Sequence, residues 1–197
     1  WRTGNYWGSN TFNLMPDVMT CAKALSSSYF PISAVLINQR IFDALVMESG
    51  KRGLFGHGPT YSGHPVGAAV AIETLNIYDE LNIGEHVQQV GKYLRAQLDR
   101  RFRNHPYVGE IRGVGLMAAI EFVRDKGSRT KFDPELNANW KLAELMEKEG
   151  VIGRVTTGEN LCFSPPLIIT KDEIDDMLDR ITRAIRLWEE QISVETT

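Results

Sequence analysis

The run Pro16-Asp-Val-Met-Thr-Cys-Ala-Lys23-Ala-Leu-Ser-Ser-Ser28 decides how the rest of the chain is read. Residues 17 to 21 read as a short strand. Lys23 comes just after it and enters a turn of small residues. The other seven lysines sit among polar or charged neighbours, or on helices that read as solvent-facing. An ammonium in a partly apolar setting is costly unless something uses it. Schiff-base formation with a carbonyl is the chemistry that most often wants such a lysine, because a desolvated amine loses its proton more easily. The same placement also suits a lysine whose stem packs while its head reaches water.

Outward from this run, Ile32 to Ile37 is a second apolar strand, rich in β-branched residues. A helix is predicted from about Arg40 to Met47. A loop from Gly50 to Gly63 follows, with glycines at 50, 53, 56, 58 and 63 and a proline at 59. Pro65 opens the next helix, whose apolar stripe is Val66, Ala69, Val70, Leu75, Tyr78 and Leu81, and Gly84 is expected to break it. Val87, Val90, Leu94, Leu98 and Phe102 repeat at helical spacing up to a stop near Asn104 to Pro106.

Two strands, Tyr107 to Arg112 and Leu116 to Val123, lie either side of Gly113 and Gly115, and a polar loop runs from Arg124 to Pro134. Trp140 to Glu149 is a helix closed by Gly150 as a left-handed cap, and Leu161 to Phe163 is a short strand. Thr170 and Glu173 form a capping box for a last helix with the apolar face Ile174, Met177, Ile181, Ile185, Trp188 and Ile192. The last few residues are expected to fray. The reading is therefore α/β, with residues 1–83 as the end of a larger domain and 84–197 as a smaller α/β domain.

A chain of 197 residues suffices for one large domain or two small ones. A net charge of -3 argues against a nucleic-acid partner, which would favour a basic stripe. No apolar run reaches membrane-spanning length. Cys21 and Cys162 are too few for a disulfide framework and lack zinc spacing, so a reducing, cytoplasmic setting is expected. The chain opens on Trp1 without a starting element, and it is expected to be the later part of a longer protein.

Two further segments carry chemistry. One is Phe55-Gly-His-Gly-Pro-Thr-Tyr-Ser-Gly-His-Pro65, which leads straight into a helix. The other is Gly150-Val-Ile-Gly-Arg154, followed by Ser164-Pro-Pro-Leu-Ile-Ile-Thr170. With the lysine run about forty residues before the first, this order and spacing resemble the class III aminotransferases, pyridoxal-phosphate enzymes that include ω-amino-acid and amine:pyruvate transaminases. The resemblance covers nearly the whole chain. Arg2-Thr3-Gly4 looks like the family's Gly-Arg-Thr-Gly stretch, with Trp1 where the pattern usually has glycine.

The resemblance implies a fold-type-I transferase that moves an amino group from an amine or amino acid to a keto acid such as pyruvate, by a ping-pong mechanism. It implies Lys23 as the Schiff-base lysine of pyridoxal 5'-phosphate. It implies that Thr60 binds the cofactor phosphate of a neighbouring subunit, and hence a homodimer with shared sites. It implies that Arg154 grips a substrate carboxylate through paired hydrogen bonds. Without it, Thr60 reads as a turn residue and Arg154 as a surface residue capping a strand turn. The fold also serves aminomutases and decarboxylases. A non-catalytic fragment that needs its missing N-terminal half is a further alternative.

Other residues rank lower. His57 and His64 share one loop but have no carboxylate or cysteine at ligand spacing, so loop hydrogen bonding is expected and no metal. Tyr6 and Trp7 suit either a substrate pocket near the lysine or a core. Asp17 reads as a turn residue at the strand start. In the family, the aspartate on the ring nitrogen, the phosphate-binding Gly-Ser turn and the stacking aromatic lie upstream of the lysine.

Overall fold

The computed structural model describes residues 1–195. The fraying expected at the C-terminus falls partly on residues 196 and 197, outside the described residues. The chain forms two compact units, Ser9–Asn82 and Trp1–Gly8 together with the chain from Ile83 onward. The first eight residues thus pack with the later part of the chain.

In the first unit, a single turn α1 (Gly8–Thr11) precedes β1 (Val18–Cys21), and β2 (Ala34–Ile37) pairs antiparallel with β1, Val18 opposite Ile37 and Cys21 opposite Ala34. Helix α2 (Gln39–Arg52) is longer than the sequence expectation at both ends. The Asn38 side chain caps its start by accepting from the Ile41 N–H at 3.1 Å. Gly53 closes it in the left-handed conformation, φ 72°, so Gly50 lies inside the helix and the loop begins later.

Helix α3 (Pro65–Glu80) starts at the expected proline, but its inward stripe differs from the expected one. Gly67, Ala71, Thr74 and Tyr78 are buried, while Val66, Ile72 and Ile77 point outward. The reason is close approach: a Cβ on Gly67 would sit 2.7 Å from the Phe30 ring, so only small residues fit there. The helix ends at Leu81 and Asn82, where Asn82 takes φ 47°. Gly84 is therefore not the breaker. It lies in the first turn of α4 (Ile83–Phe102), where a Cβ would meet the Trp1 ring at 2.8 Å.

The second unit is built on a four-stranded antiparallel sheet. Its strands are β3 (Val108–Val114), β4 (Met117–Phe122), β5 (Arg154–Thr156) and β6 (Asn160–Phe163), in the order β3-β4-β6-β5. The three-residue β5 is an addition to the sequence reading. Alternation turns Ala118, Ile120, Phe122, Leu161 and Phe163 into the core. Helices α4, α5 (Ala138–Lys148) and α6 (Lys171–Glu195) pack on that side. Val87, Val90, Leu94, Leu98 and Phe102 of α4 are all buried, as their spacing predicts.

The α6 stripe is buried at Ile174, Ile181, Ile185, Trp188 and Ile192 as expected, but the expected Met177 is only half-buried and Leu178 and Ala184 complete the face. Trp188, 1% exposed, is ringed by Tyr107, Phe122 and Phe132, and its indole N–H donates to the Ala138 carbonyl at 2.6 Å. The Thr170–Glu173 capping box is present in both directions. The Glu173 N–H donates to the Thr170 hydroxyl at 3.2 Å, and the Thr170 N–H donates to the Glu173 carboxylate at 2.8 Å.

Candidate active site

Lys23 stands two residues beyond β1, after extended Ala22, and opens a one-turn 3-10 helix over Lys23–Leu25. Its φ is 53°, in the left-handed region that a lysine enters only at a cost. The turn is held from below. The Ser26 N–H donates to the Lys23 carbonyl at 3.2 Å, and the buried Ser26 hydroxyl donates to the Phe30 carbonyl at 2.6 Å. From α3, the buried Tyr78 hydroxyl donates to the Ala24 carbonyl at 3.0 Å. A strained backbone fixed by flanking bonds is how a scaffold aims one side chain.

The Lys23 side chain is exposed among the described residues. No carboxylate or carbonyl among the described residues pairs with its ammonium. Thr60 lies in the turn before α3, exposed, with its hydroxyl equally unengaged among the described residues. The Ser62 N–H closes this turn onto the Pro59 carbonyl at 2.9 Å. Lys23 and Thr60 thus belong to one unit, and both present polar groups at its surface.

The loop histidines make ring contacts rather than the expected side-chain hydrogen bonds. His64 stacks obliquely on Phe30 at 5.2 Å and meets Tyr61 edge-on at 5.8 Å. His57 meets Phe55 at 6.0 Å. Asp17 is engaged at the start of β1, accepting from Asn38 and lying 3.1 Å from the Arg40 guanidinium. Those bonds tie β1 to the start of α2, as suits a strand-end turn residue.

Arg154 belongs to the other unit, at the start of β5. It is exposed, and no carboxylate among the described residues pairs with it. It stands opposite Cys162, which stands opposite Ala119, so its side chain lies on the sheet face away from the helices. Other cations on that face are engaged. Arg112 donates to Glu121 at 2.9 Å and Glu110 at 3.2 Å, and Lys131 donates to Glu121. Lys131, with Arg112 behind it, holds the Glu121 carboxyl below the usual carboxylate range.

The opening stretch and the Pro-Pro motif meet. Arg2 donates to the Pro165 carbonyl, the Leu116 N–H donates to the Arg2 carbonyl at 2.9 Å, and Gln88 donates to the Gly4 carbonyl at 2.6 Å. Tyr6 packs between Trp1 and Trp7, at 4.6 and 5.1 Å between ring centres. No element of the described structure is a helix long and apolar enough to cross a membrane.

The mixed α/β scaffold is that of the fold-type-I transferases among which its solved neighbours, transaminases, are found. The chain aligns at TM-score 0.93 with the ω-transaminase from Pseudomonas jessenii in complex with PMP, at 41% identity over 98% of this chain and 42% of that one. It is 42% identical to a probable γ-aminobutyrate transaminase 3, mitochondrial, of Oryza sativa subsp. indica, over 98% of this chain and 37% of the relative. It is 41% identical to an uncharacterized aminotransferase of Sinorhizobium fredii, over 94% of this chain and 40% of the relative. The chain thus spans about two fifths of the length of the curated relatives it matches. Residues 1–185 match aminotransferase class-III, and the chain belongs to that family.

Proposed function

We propose that the protein transfers an amino group from an amine or amino acid to a keto acid, with pyruvate as acceptor, in two half-reactions on pyridoxal 5'-phosphate. The observation that supports this reading best is Lys23 itself, an unpaired amine fixed in a left-handed turn by Ser26 and Tyr78. The residues present fit the cofactor: an amine without a competing acid, and a free hydroxyl in a glycine-rich loop for a phosphate. When bound, pyridoxal phosphate supplies the electron sink for the chemistry.

The chain's own residues take three roles. Lys23 Nζ would hold the cofactor, and its amine would carry a proton to and from the substrate Cα. The Thr60 hydroxyl would hold the cofactor phosphate, from the neighbouring subunit of a homodimer. The Arg154 guanidinium binds the substrate carboxylate with two parallel hydrogen bonds. A cytoplasmic setting is in keeping with Cys21 and Cys162, both free thiols.

The test is borohydride reduction of the intact protein with pyridoxal phosphate, followed by peptide mass spectrometry. The reduced adduct is expected on the peptide containing Lys23. A Lys23→Ala variant that still yields the adduct at the same level overturns the assignment.

A further inference from the structure

The geometry points to Asn160 and Lys131 as positioning residues that set Arg154 for carboxylate recognition, an inference resting on the substrate role of Arg154 proposed above. Arg154 rides on the β5–β6 hairpin, whose connection Thr157–Gly158–Glu159 carries positive φ at Gly158 (79°) and Glu159 (54°). A short hairpin with two such residues needs its carbonyls held.

Two side chains do this from opposite directions. Asn160 donates to the Thr157 and Gly158 carbonyls, both at 3.2 Å. Lys131 donates to the Gly158 carbonyl at 3.1 Å from the loop after β4. Asn160 is anchored in turn, because its side-chain oxygen accepts from Arg112 at 2.5 Å.

The register places this clamp beside the guanidinium. Asn160 stands opposite Thr156, and Cys162 stands opposite Arg154, so Asn160 and Arg154 share one sheet face one pleat apart. That is about 7 Å along the strand. The same residues settle the charge around Arg154. Glu110 is taken by Arg112 and Arg129, Glu121 by Arg112 and Lys131, and Glu159 lies 4.0 Å from Lys131. Three acids are thus matched to three bases. No acid of this group pairs with Arg154, so a substrate carboxylate meets it without a resident competitor.

The experiment measures kcat/KM separately for the two half-reactions of the intact enzyme, with pyruvate as acceptor and benzylamine as a donor lacking a carboxylate. Asn160→Ala and Lys131→Met are each expected to lower the pyruvate value about three- to tenfold, the weight of one or two hydrogen bonds. The benzylamine value is expected to stay unchanged. In an Arg154→Ala background neither substitution lowers the pyruvate value further, because both act through the same guanidinium.

Effects that add in full to Arg154→Ala, or that lower both half-reactions equally, overturn the positioning role and leave Arg154 in place. No effect of Arg154→Ala on pyruvate overturns the substrate role of Arg154 itself, and the inference with it. Lys131 is exposed and touches the turn from outside, so Lys131→Met keeps the test decisive if Asn160→Ala does not fold.

Discussion

Glu159 holds φ 54° at the hairpin connection, a backbone state that costs a non-glycine residue about 1–2 kcal/mol. One of its carboxyl oxygens is buried without a hydrogen-bond partner among the described residues. Burial therefore raises its carboxyl above the ordinary value of 4.5, against the smaller opposing pull of Lys131. The folded state then holds this proton more tightly than the unfolded chain. The stability it contributes is full below 4.5 and is lost as pH rises through the raised value. Glu159→Gln removes the titration and keeps the shape. Thermal melts of wild type and variant are expected to converge near about pH 4, with the variant melting higher at neutral pH. A variant that melts lower at neutral pH would mean that the ion pair with Lys131 outweighs burial. Glu121 runs the other way: its lowered carboxyl stabilises above 4.5 and loses that contribution as pH falls. It is present in both proteins and cancels. Lys23 carries the same kind of backbone strain, but there the strain is coupled to an exposed, unpaired amine. Its residue type was legible from the motif, but its left-handed turn was not, because that turn depends on Tyr78 reaching Ala24 from 54 positions along the chain.

At the scale of elements, the helices that face their own core were legible and those that do not were misread. α4 and α6 repeat large apolar residues at helical spacing, and those residues, the half-buried Met177 excepted, are buried. α3 buries the expected Tyr78, but otherwise glycine, alanine and threonine, because its backbone approaches Phe30, and small residues leave no periodicity to mark such a face. β5 escaped notice because three residues carry no alternation. Asn160 and Lys131 were missed for a related reason: their partners are carbonyls of a neighbouring turn, which leave no residue-type signal. Two substitutions test these elements through urea-denaturation midpoints. Thr170→Ala removes the hydroxyl half of the capping box, leaves the bond from the Thr170 N–H to Glu173, and is expected to cost about 1 kcal/mol. Gly91→Ala places a Cβ 2.6 Å from the Gly115 backbone, where α4 meets the β3–β4 turn. Its expected cost is larger, about 1–3 kcal/mol, because neither backbone can give way alone. An unchanged midpoint for Gly91→Ala would show that helix and turn separate without loss.

For the whole molecule, the uneven distribution of exposed apolar side chains bears on assembly. Most of them lie in the Ser9–Asn82 unit, including Phe42, Val46 and Met47 on α2 and Val35 on β2. Apolar surface on that scale is a common mark of association. In the proposed homodimer, Lys23 of one subunit and Thr60 of the other serve one site. That arrangement makes an arithmetical claim. A Lys23→Ala homodimer has no working site, and a Thr60→Val homodimer has two weakened ones. In a mixed dimer of the two variants, shared sites collect both lesions in one site and leave the other intact. Unfolding and co-refolding the two variants, or co-expressing them with different tags, is therefore expected to return activity well above the mean of the parents. Sites contained within one subunit would each keep one lesion, and the mixed dimer would show only that mean. The recovered activity should also bind cofactor at about one site per dimer with wild-type affinity, which equilibrium titration of pyridoxal phosphate can count. Two altered sites and none of wild-type affinity in that titration would place Thr60 in the same subunit as the lysine it serves.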